Sequence, residues 1–196
     1  GKNTLLIATG DNGAARRPYP PLREAKSSIY EGGHREPLVA RWPGKIKPGT
    51  VSHSVICLND FFATCADILK ANLPANAAED SVSFLPALLN EKDAPVRKAI
   101  INQASEGLAI RQGLWKYIVF RNGTRELYNL TADISETTNV AKTNTEVVTR
   151  LEKLMKSYFD RGRSTPGPVQ KKEFELPFGR KSEKKRNRKN KDASSN

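Results

Sequence analysis

Methionine, histidine and cysteine are scarce in these 196 residues: one Met, two His and two Cys. The cysteines, Cys57 and Cys65, are too few for a disulfide framework, and their spacing is not that of a zinc site. They carry no information about redox compartment. No run of about 18 apolar residues could cross a bilayer as a helix, and no leader of the signal-peptide type is visible. The chain opens as Gly1-Lys2-Asn3, enters an apolar run at once, and has Met155 as its only methionine. That opening points to a fragment of a larger polypeptide, a truncated reading frame or one part of a split protein. Acidic residues are the minority, 21 against 33 Lys and Arg, for a net charge of +12. A surplus of that size bears on polyanionic partners rather than on fold.

What is present begins with Leu5-Leu6-Ile7-Ala8 and the sequence Asp11-Asn12-Gly13 just beyond it. A strand that ends in a carboxylate and an amide oxygen offers two hard ligands at the mouth of a sheet. Open α/β sheets bind ligands there, and such oxygens suit calcium or magnesium. Asp-Asn-Gly is also ordinary turn chemistry, since glycine accepts positive φ and Asp and Asn bond to nearby backbone. Further on, Lys26 offers a compact ammonium suited to an oxyanion, or it is one more solvated loop lysine. Next come Tyr30-Glu31-Gly32-Gly33-His34-Arg35-Glu36-Pro37 and a second strand, Leu38 to Trp42. Gly32 and Gly33 allow a tight bend or a close backbone approach, and Arg35 can pair with Glu31 or Glu36. The order resembles the back half of an anion-ester hydrolase site.

Beyond Trp42 the chain reads as scaffold. Pro43-Gly44 and Pro48-Gly49 mark turns. Val55-Ile56-Cys57-Leu58 reads as a short strand, and Asn59 or Asp60 can cap the helix that follows. Phe61, Phe62, Cys65, Ile68 and Leu69 recur there at helical spacing, so the helix packs on a core and Cys65 is expected to be a small buried apolar residue. Residues 71–81 form a loop and a short helix lies near Phe84–Leu89. Extended segments follow at Ala99–Gln103, Ala109–Arg111, Trp115–Phe120 and Glu126–Leu130. Asn122-Gly123 is a hairpin turn between the last two. Trp115, Tyr117 and Val119 alternate with Lys116, Ile118 and Phe120, so neither face of that strand is purely polar. Thr143-x-x-Glu146 is a capping box for a helix whose stripe is Val147, Leu151, Leu154 and Tyr158, with Gly162 near its stop.

From Lys171 to Asn196 there are ten Lys and Arg against four Asp and Glu, so this stretch supplies +6 of the charge. After Phe178 it has few apolar residues, too few to fold alone. Lys184-Lys185-Arg186-Asn187-Arg188-Lys189-Asn190-Lys191 could bind anionic polymers. No aromatics are interleaved to stack on bases, so specific nucleic-acid binding is not expected.

The sequence from Asp11-Asn12-Gly13 through Pro21-Leu22-Arg23-Glu24-Ala25-Lys26 to Tyr30–Pro37 resembles the sulfatase family, as does Leu38 to Ile46. Asn59–Thr64, Ser83–Leu89, Ala109–Arg111, Trp115–Ile118, Glu126–Leu130 and Glu136–Ala141 are similar to its later segments, so the likeness spans roughly residues 3 to 160. The resemblance implies a sulfuric ester hydrolase of arylsulfatase type in the alkaline phosphatase superfamily. The fold expected is α/β: the C-terminal part of a mixed sheet with helices, then a small antiparallel sheet packed by the last helix. Its divisions would be 1–95, part of the catalytic domain; 96–165, a small α+β subdomain; and 166–196, a basic disordered tail. Asp11 and Asn12 would be metal ligands, for calcium or else magnesium, and Lys26 would hold the sulfate. The substrate would be a sulfated small molecule or polysaccharide, and relatives of this kind are commonly exported.

The family's nucleophile is a formylglycine made from Cys or Ser in Cys/Ser-x-Pro-x-Arg. Here Cys57 and Cys65 are followed two positions on by Asn59 and Asp67, and Ser164 has Pro166 but Pro168 where Arg belongs. The family's first pair of metal-binding aspartates and its acid/base histidine also lack counterparts. Neither His34 nor His53 falls on a family catalytic position, so His34 is read as structural. Glu24-Ala25 stands where the family often has glycines. The expectation is therefore a part-site, with the formylglycine in an N-terminal half outside this chain. The alternatives are an inert remnant, a polyanion-binding module, or a phosphoester or phosphonate hydrolase of the same superfamily.

Overall fold

The computed structural model describes residues 1, 3–15, 17–91 and 97–171. Most of the basic C-terminal segment lies outside these described residues. Leu6–Thr9 (β1) and Leu38–Arg41 (β2) pair antiparallel, Leu6 opposite Arg41 and Thr9 opposite Leu38. The ribbon is thinly covered, with Leu6 60% and Val39 67% exposed. Its register brings the residues that follow β1 alongside those that precede β2, and the candidate site is built at that junction.

Asp60–Ile68 (α1) is anchored by polar groups rather than by an apolar stripe. The buried Asp60 carboxylate accepts the backbone N–H groups of Cys57 (2.9 Å) and Val82 (2.8 Å) and pairs with Arg97. The Thr64 hydroxyl accepts the N–H of Phe84 at 3.0 Å. Phe61 meets Phe84 edge-on at 5.2 Å. Two expectations are corrected here. Residues 55–58 form no strand, because the backbone of Cys57 bonds to the amino end of α1 instead of to a neighbouring ladder. Cys65 is exposed, since Phe62, Cys65 and Leu69 share the outer face of the helix while Asp60 and Thr64 turn inward. Leu85–Leu88 (α2) is a single turn after the 71–81 loop.

The core is a four-stranded antiparallel meander in the order β3 (Ile100–Ala104), β4 (Gly107–Gln112), β5 (Trp115–Phe120) and β6 (Arg125–Asn129). Gly123, at φ 87°, supplies the left-handed turn between β5 and β6. Thr145–Arg161 (α3) covers one face, with Leu151, Met155 and Tyr158 against Leu108, Ile110, Tyr117, Val119 and Leu127. The opposite face is also buried. Ala109, Ile118, Tyr128 and Leu130 pack there on Ile29 and Tyr30, from the segment between β1 and β2. Burial on both sides explains why β5 has no polar face.

α3 begins one residue later than the capping-box pattern places it, with Asn144 rather than Thr143 at the N-cap. The Thr143 hydroxyl donates to the Val140 carbonyl (3.1 Å) and no side chain caps the first turn. Its end is as expected, with Gly162 left-handed at φ 65°.

Candidate functional site

Three backbone stretches stack at the open end of the β1–β2 ribbon. The N–H of Gly13 donates to the Gly33 carbonyl at 3.0 Å, that of Lys26 to Ala14 at 3.1 Å, and that of Gly32 to Arg23 at 2.9 Å. The approach is close enough to require glycine, because a Cβ on Gly13 would lie 1.8 Å from the Gly32 carbonyl oxygen. Ala25 and Lys26 are carried between two left-handed residues, Glu24 (φ 62°) and Ser27 (φ 76°). Glycine would take the first without strain, so Glu24 costs this chain a strained backbone.

That stacking brings Asn12 and Lys26 to one open hollow of about 210 Å³, with Ser27, Gly33 and His34 on the same wall. Asp11, beside Asn12, is exposed. The Asn12 Nδ2 donates to the Gly13 carbonyl at 3.2 Å, which leaves its Oδ1 as an acceptor. Asp11 and Asn12 thus fit a hard cation as two oxygen donors. They are part of the 6–8 that calcium takes, and among the described residues no group of three or more His, Cys, Asp or Glu is placed to hold a metal. Neither cysteine substitutes for a nucleophile. Cys65 sits on α1, and burial, reinforced by the Asp60 carboxylate, pushes the Cys57 thiol up to about 12. A thiol so shifted is protonated at neutral pH and unreactive.

The far side of the hollow comes from the meander, through Asn102 and Gln103 of β3. A buried charge cluster fixes the two sides together. Glu31 lies in a 3-10 turn over Glu31–Gly33, 1% exposed, and its carboxylate meets Lys116 of β5 at 3.1 Å. Arg35 (3.2 Å), His34 (3.4 Å) and Arg111 (3.5 Å) surround it. Lys116 reaches the buried carboxylate of Glu136 at 2.8 Å, and Glu136 accepts the backbone N–H of Glu31 at 2.6 Å. Burial alone would push the Glu31 carboxyl up. The hydrogen bond from His34 and the charges of Lys116, His34 and Arg111 outweigh burial and hold it well below the ordinary carboxylate range. Glu136 goes the other way, raised by burial despite Lys116. Arg23, at the head of the Lys26 loop, lies 3.7 Å over the Tyr30 ring and donates to the Glu136 carbonyl at 2.6 Å. Glu106, in the β3–β4 turn, accepts the N–H of Ile29 at 2.8 Å and the hydroxyl of Ser28 at 3.1 Å.

Of the residues singled out in the sequence, Asn12 and Lys26 meet in the hollow and Asp11 stands exposed next to Asn12. His34 both lines the hollow and pairs with Glu31, and Arg35 pairs with Glu31 rather than Glu36. Lys116, Glu136, Arg111 and Asn102 were not singled out. The available signal was Lys116 itself, a single charge inside the run Trp-Lys-Tyr-Ile-Val-Phe. A charge at such a position needs a buried counter-charge.

The family model described as Sulfatase matches residues 1–71, the stretch that contains the stacked loops. The N-acetylgalactosamine-6-O-sulfatase of Bacteroides thetaiotaomicron is 37% identical over 186 residues, covering 79% of this chain and 36% of that protein. A solved Bacteroides thetaiotaomicron structure, from the metabolism of multiple glycosaminoglycans, superposes with a TM-score of 0.70 at 36% identity, over 80% of this chain and 38% of that one. A further solved structure, in complex with its substrate D-glucosamine-2-N,6-O-disulfate, reaches 0.65 at 26% identity, over 82% and 35%. The chain therefore spans about a third of the length of the proteins it matches. With its ribbon, its meander and its closing helix arranged as in those α/β proteins of alkaline-phosphatase-like fold, the chain belongs to the sulfatase family.

Proposed function

We propose that this chain is part of a sulfuric ester hydrolase acting on sulfated sugars of the glycosaminoglycan type. The observation that carries the reading is the meeting of Asn12 and Lys26 in one hollow, beside the exposed carboxylate of Asp11. The names of its relatives, an N-acetylgalactosamine-6-O-sulfatase among them, support the substrate class. Asp11 and Asn12 are the residues that would hold a divalent cation, calcium or magnesium. Such an ion supplies Lewis-acid polarisation of an ester oxygen.

Lys26 binds the sulfate. Its ammonium has three donors for the anionic oxygens, and it is held near Asn12 by its own backbone bond to Ala14. Charge that builds on those oxygens as the ester bond breaks is stabilised by a donor already in place. The Gly13–Gly33 contact holds the Asn12 segment against the Glu31–Gly33 turn within one wall, and Glu31 with Lys116 ties that wall to the meander. The nucleophile, a formylglycine, belongs to a portion of the protein outside these residues. Part of the surplus positive charge, in residues 171–196, would favour an acidic polysaccharide over a neutral one.

Titration calorimetry of the chain with N-acetylgalactosamine 6-sulfate, with calcium present, tests this assignment. Lys26→Ala is expected to weaken binding at least tenfold, on the scale of a lost charge-assisted hydrogen bond of about 1.5–3 kcal/mol. Equal affinity in wild type and Lys26→Ala would remove the sulfate-binding role.

A further inference from the structure

β3 is the outer strand of the meander, and its register with β4 sorts its side chains. Asn102 stands opposite Ala109, and Gln103 opposite Leu108. Ala109 belongs to the face that packs on Ile29 and Tyr30, whereas Leu108 faces α3. Asn102 is therefore on the site side of the sheet, where it is half-buried and lines the hollow that holds Asn12 and Lys26. Its neighbour on the same face, Ala104, packs against the apolar cluster around Ile29 and Tyr30.

An amide at such a position is free to bond to whatever enters the hollow. Two polar neighbours in the hollow are committed elsewhere. Ser28 bonds to Glu106 and His34 pairs with Glu31. The Asn102 side chain has no hydrogen-bond partner among the described residues. It presents a donor and an acceptor together, the pattern that matches a sugar hydroxyl or an acetamido group. Lys26 across the hollow matches only the charge of the sulfate.

We infer that Asn102 is a specificity-determining residue, contacting a polar ring substituent of the sulfated sugar whose sulfate lies at Lys26. This rests on the proposed sulfate-ester function and adds that the small antiparallel sheet contributes directly to substrate choice. A site built to hydrogen-bond a hydroxyl discriminates against ligands that lack it more strongly than an apolar wall can. Inorganic sulfate, which has no ring, should be blind to Asn102.

The test is titration of the full chain, with calcium present, by N-acetylgalactosamine 6-sulfate and separately by inorganic sulfate. Asn102→Ala is expected to weaken the sugar sulfate by about five- to tenfold, the usual effect of one neutral hydrogen bond, and to leave inorganic sulfate unchanged. Asn102→Ser, which keeps a hydroxyl donor and acceptor, should recover part of the loss, and thermal unfolding of both variants guards against a collapsed sheet. Lys26→Ala should weaken both ligands. If the wild type binds both and Asn102→Ala changes neither, or changes both equally, the inference is overturned while the sulfate site stands. If the wild type binds neither ligand, the proposed function falls and takes this inference with it.

Discussion

Replacing Lys116 by methionine would remove the cation that Glu31 and Glu136 share among the described residues and keep most of the side-chain volume. Both carboxylates are buried, 1% and 0% exposed, and Lys116 lies 3.1 Å from the first and 2.8 Å from the second. Breaking a buried ion pair from one side costs about 3–5 kcal/mol, because the remaining charge is stranded. Glu31 keeps Arg35, His34 and Arg111 around it, so the stranded charge is that of Glu136. Burial already raises the Glu136 carboxyl, and without Lys116 it can escape by taking up a proton. That escape places the loss near the lower end, about 3 kcal/mol at pH 7. In a chain of this length it corresponds to a Tm lowered by roughly 6–12 °C.

The sign with pH follows from the same group. A buried carboxyl whose folded pKa is raised is penalised at neutral pH and relieved as pH falls through that pKa. The deficit of Lys116→Met against wild type should therefore shrink between pH 7 and pH 5. Calorimetry or urea unfolding followed by circular dichroism at both values measures it. A deficit under 1 kcal/mol at pH 7, or one that does not change with pH, would refute the stranded-charge reasoning.

Glu31 makes the opposite pH prediction. Its depressed folded pKa contributes stability that is present above the unfolded value of about 4.3 and lost as pH falls below it; Glu31→Gln should flatten that acid limb in a pH series of unfolding curves. Gly13→Ala forces a methyl against the Gly32 carbonyl and should cost about 1–3 kcal/mol, seen as a lowered Tm and a weakened sulfate titration; an unchanged Tm would contradict the close approach. Glu24→Gly relieves a left-handed residue at φ 62° and should raise stability by about 1 kcal/mol, or a few degrees in Tm, with no loss of sulfate binding. A fall in Tm would show that the Glu24 side chain does something its backbone strain conceals.

The legible parts of the fold were those written in local pattern. β5 occupies Trp115–Phe120 as read, the Asn122-Gly123 turn lies where its chemistry requires it, and Gly162 ends α3. The misread parts were decided by side-chain-to-backbone bonds that composition and periodicity do not show. Val55–Leu58 has strand composition, but the backbone of Cys57 is claimed by the Asp60 side chain. α1 has an apolar stripe, yet it is oriented by Asp60 and Thr64, which leaves Cys65 outside. The site divides in the same way. Asn12 and Lys26 were legible because the residues around them form a contiguous pattern. Asn102 and Glu136 were not, because each reaches the site only after the chain has folded back across a sheet.

The separation of Glu31 from Glu136 has a consequence in time. The backbone of Glu31 is bonded by a carboxylate 105 residues downstream. At about 5–20 residues per second, a ribosome needs roughly 5–20 seconds to make that stretch. Throughout that interval the loop with Lys26 is outside the exit tunnel without its counter-charges, while α1 and the β1–β2 ribbon can already close locally. The meander, built of consecutive hairpins, forms fast once it emerges, and only then does Lys116 arrive to neutralise the waiting glutamate. The loop with Lys26 is thus made well before its counter-charges and is among the last parts to become rigid, and a nascent chain halted before residue 116 would carry Asn12 and Lys26 without the cluster that holds their loop in place.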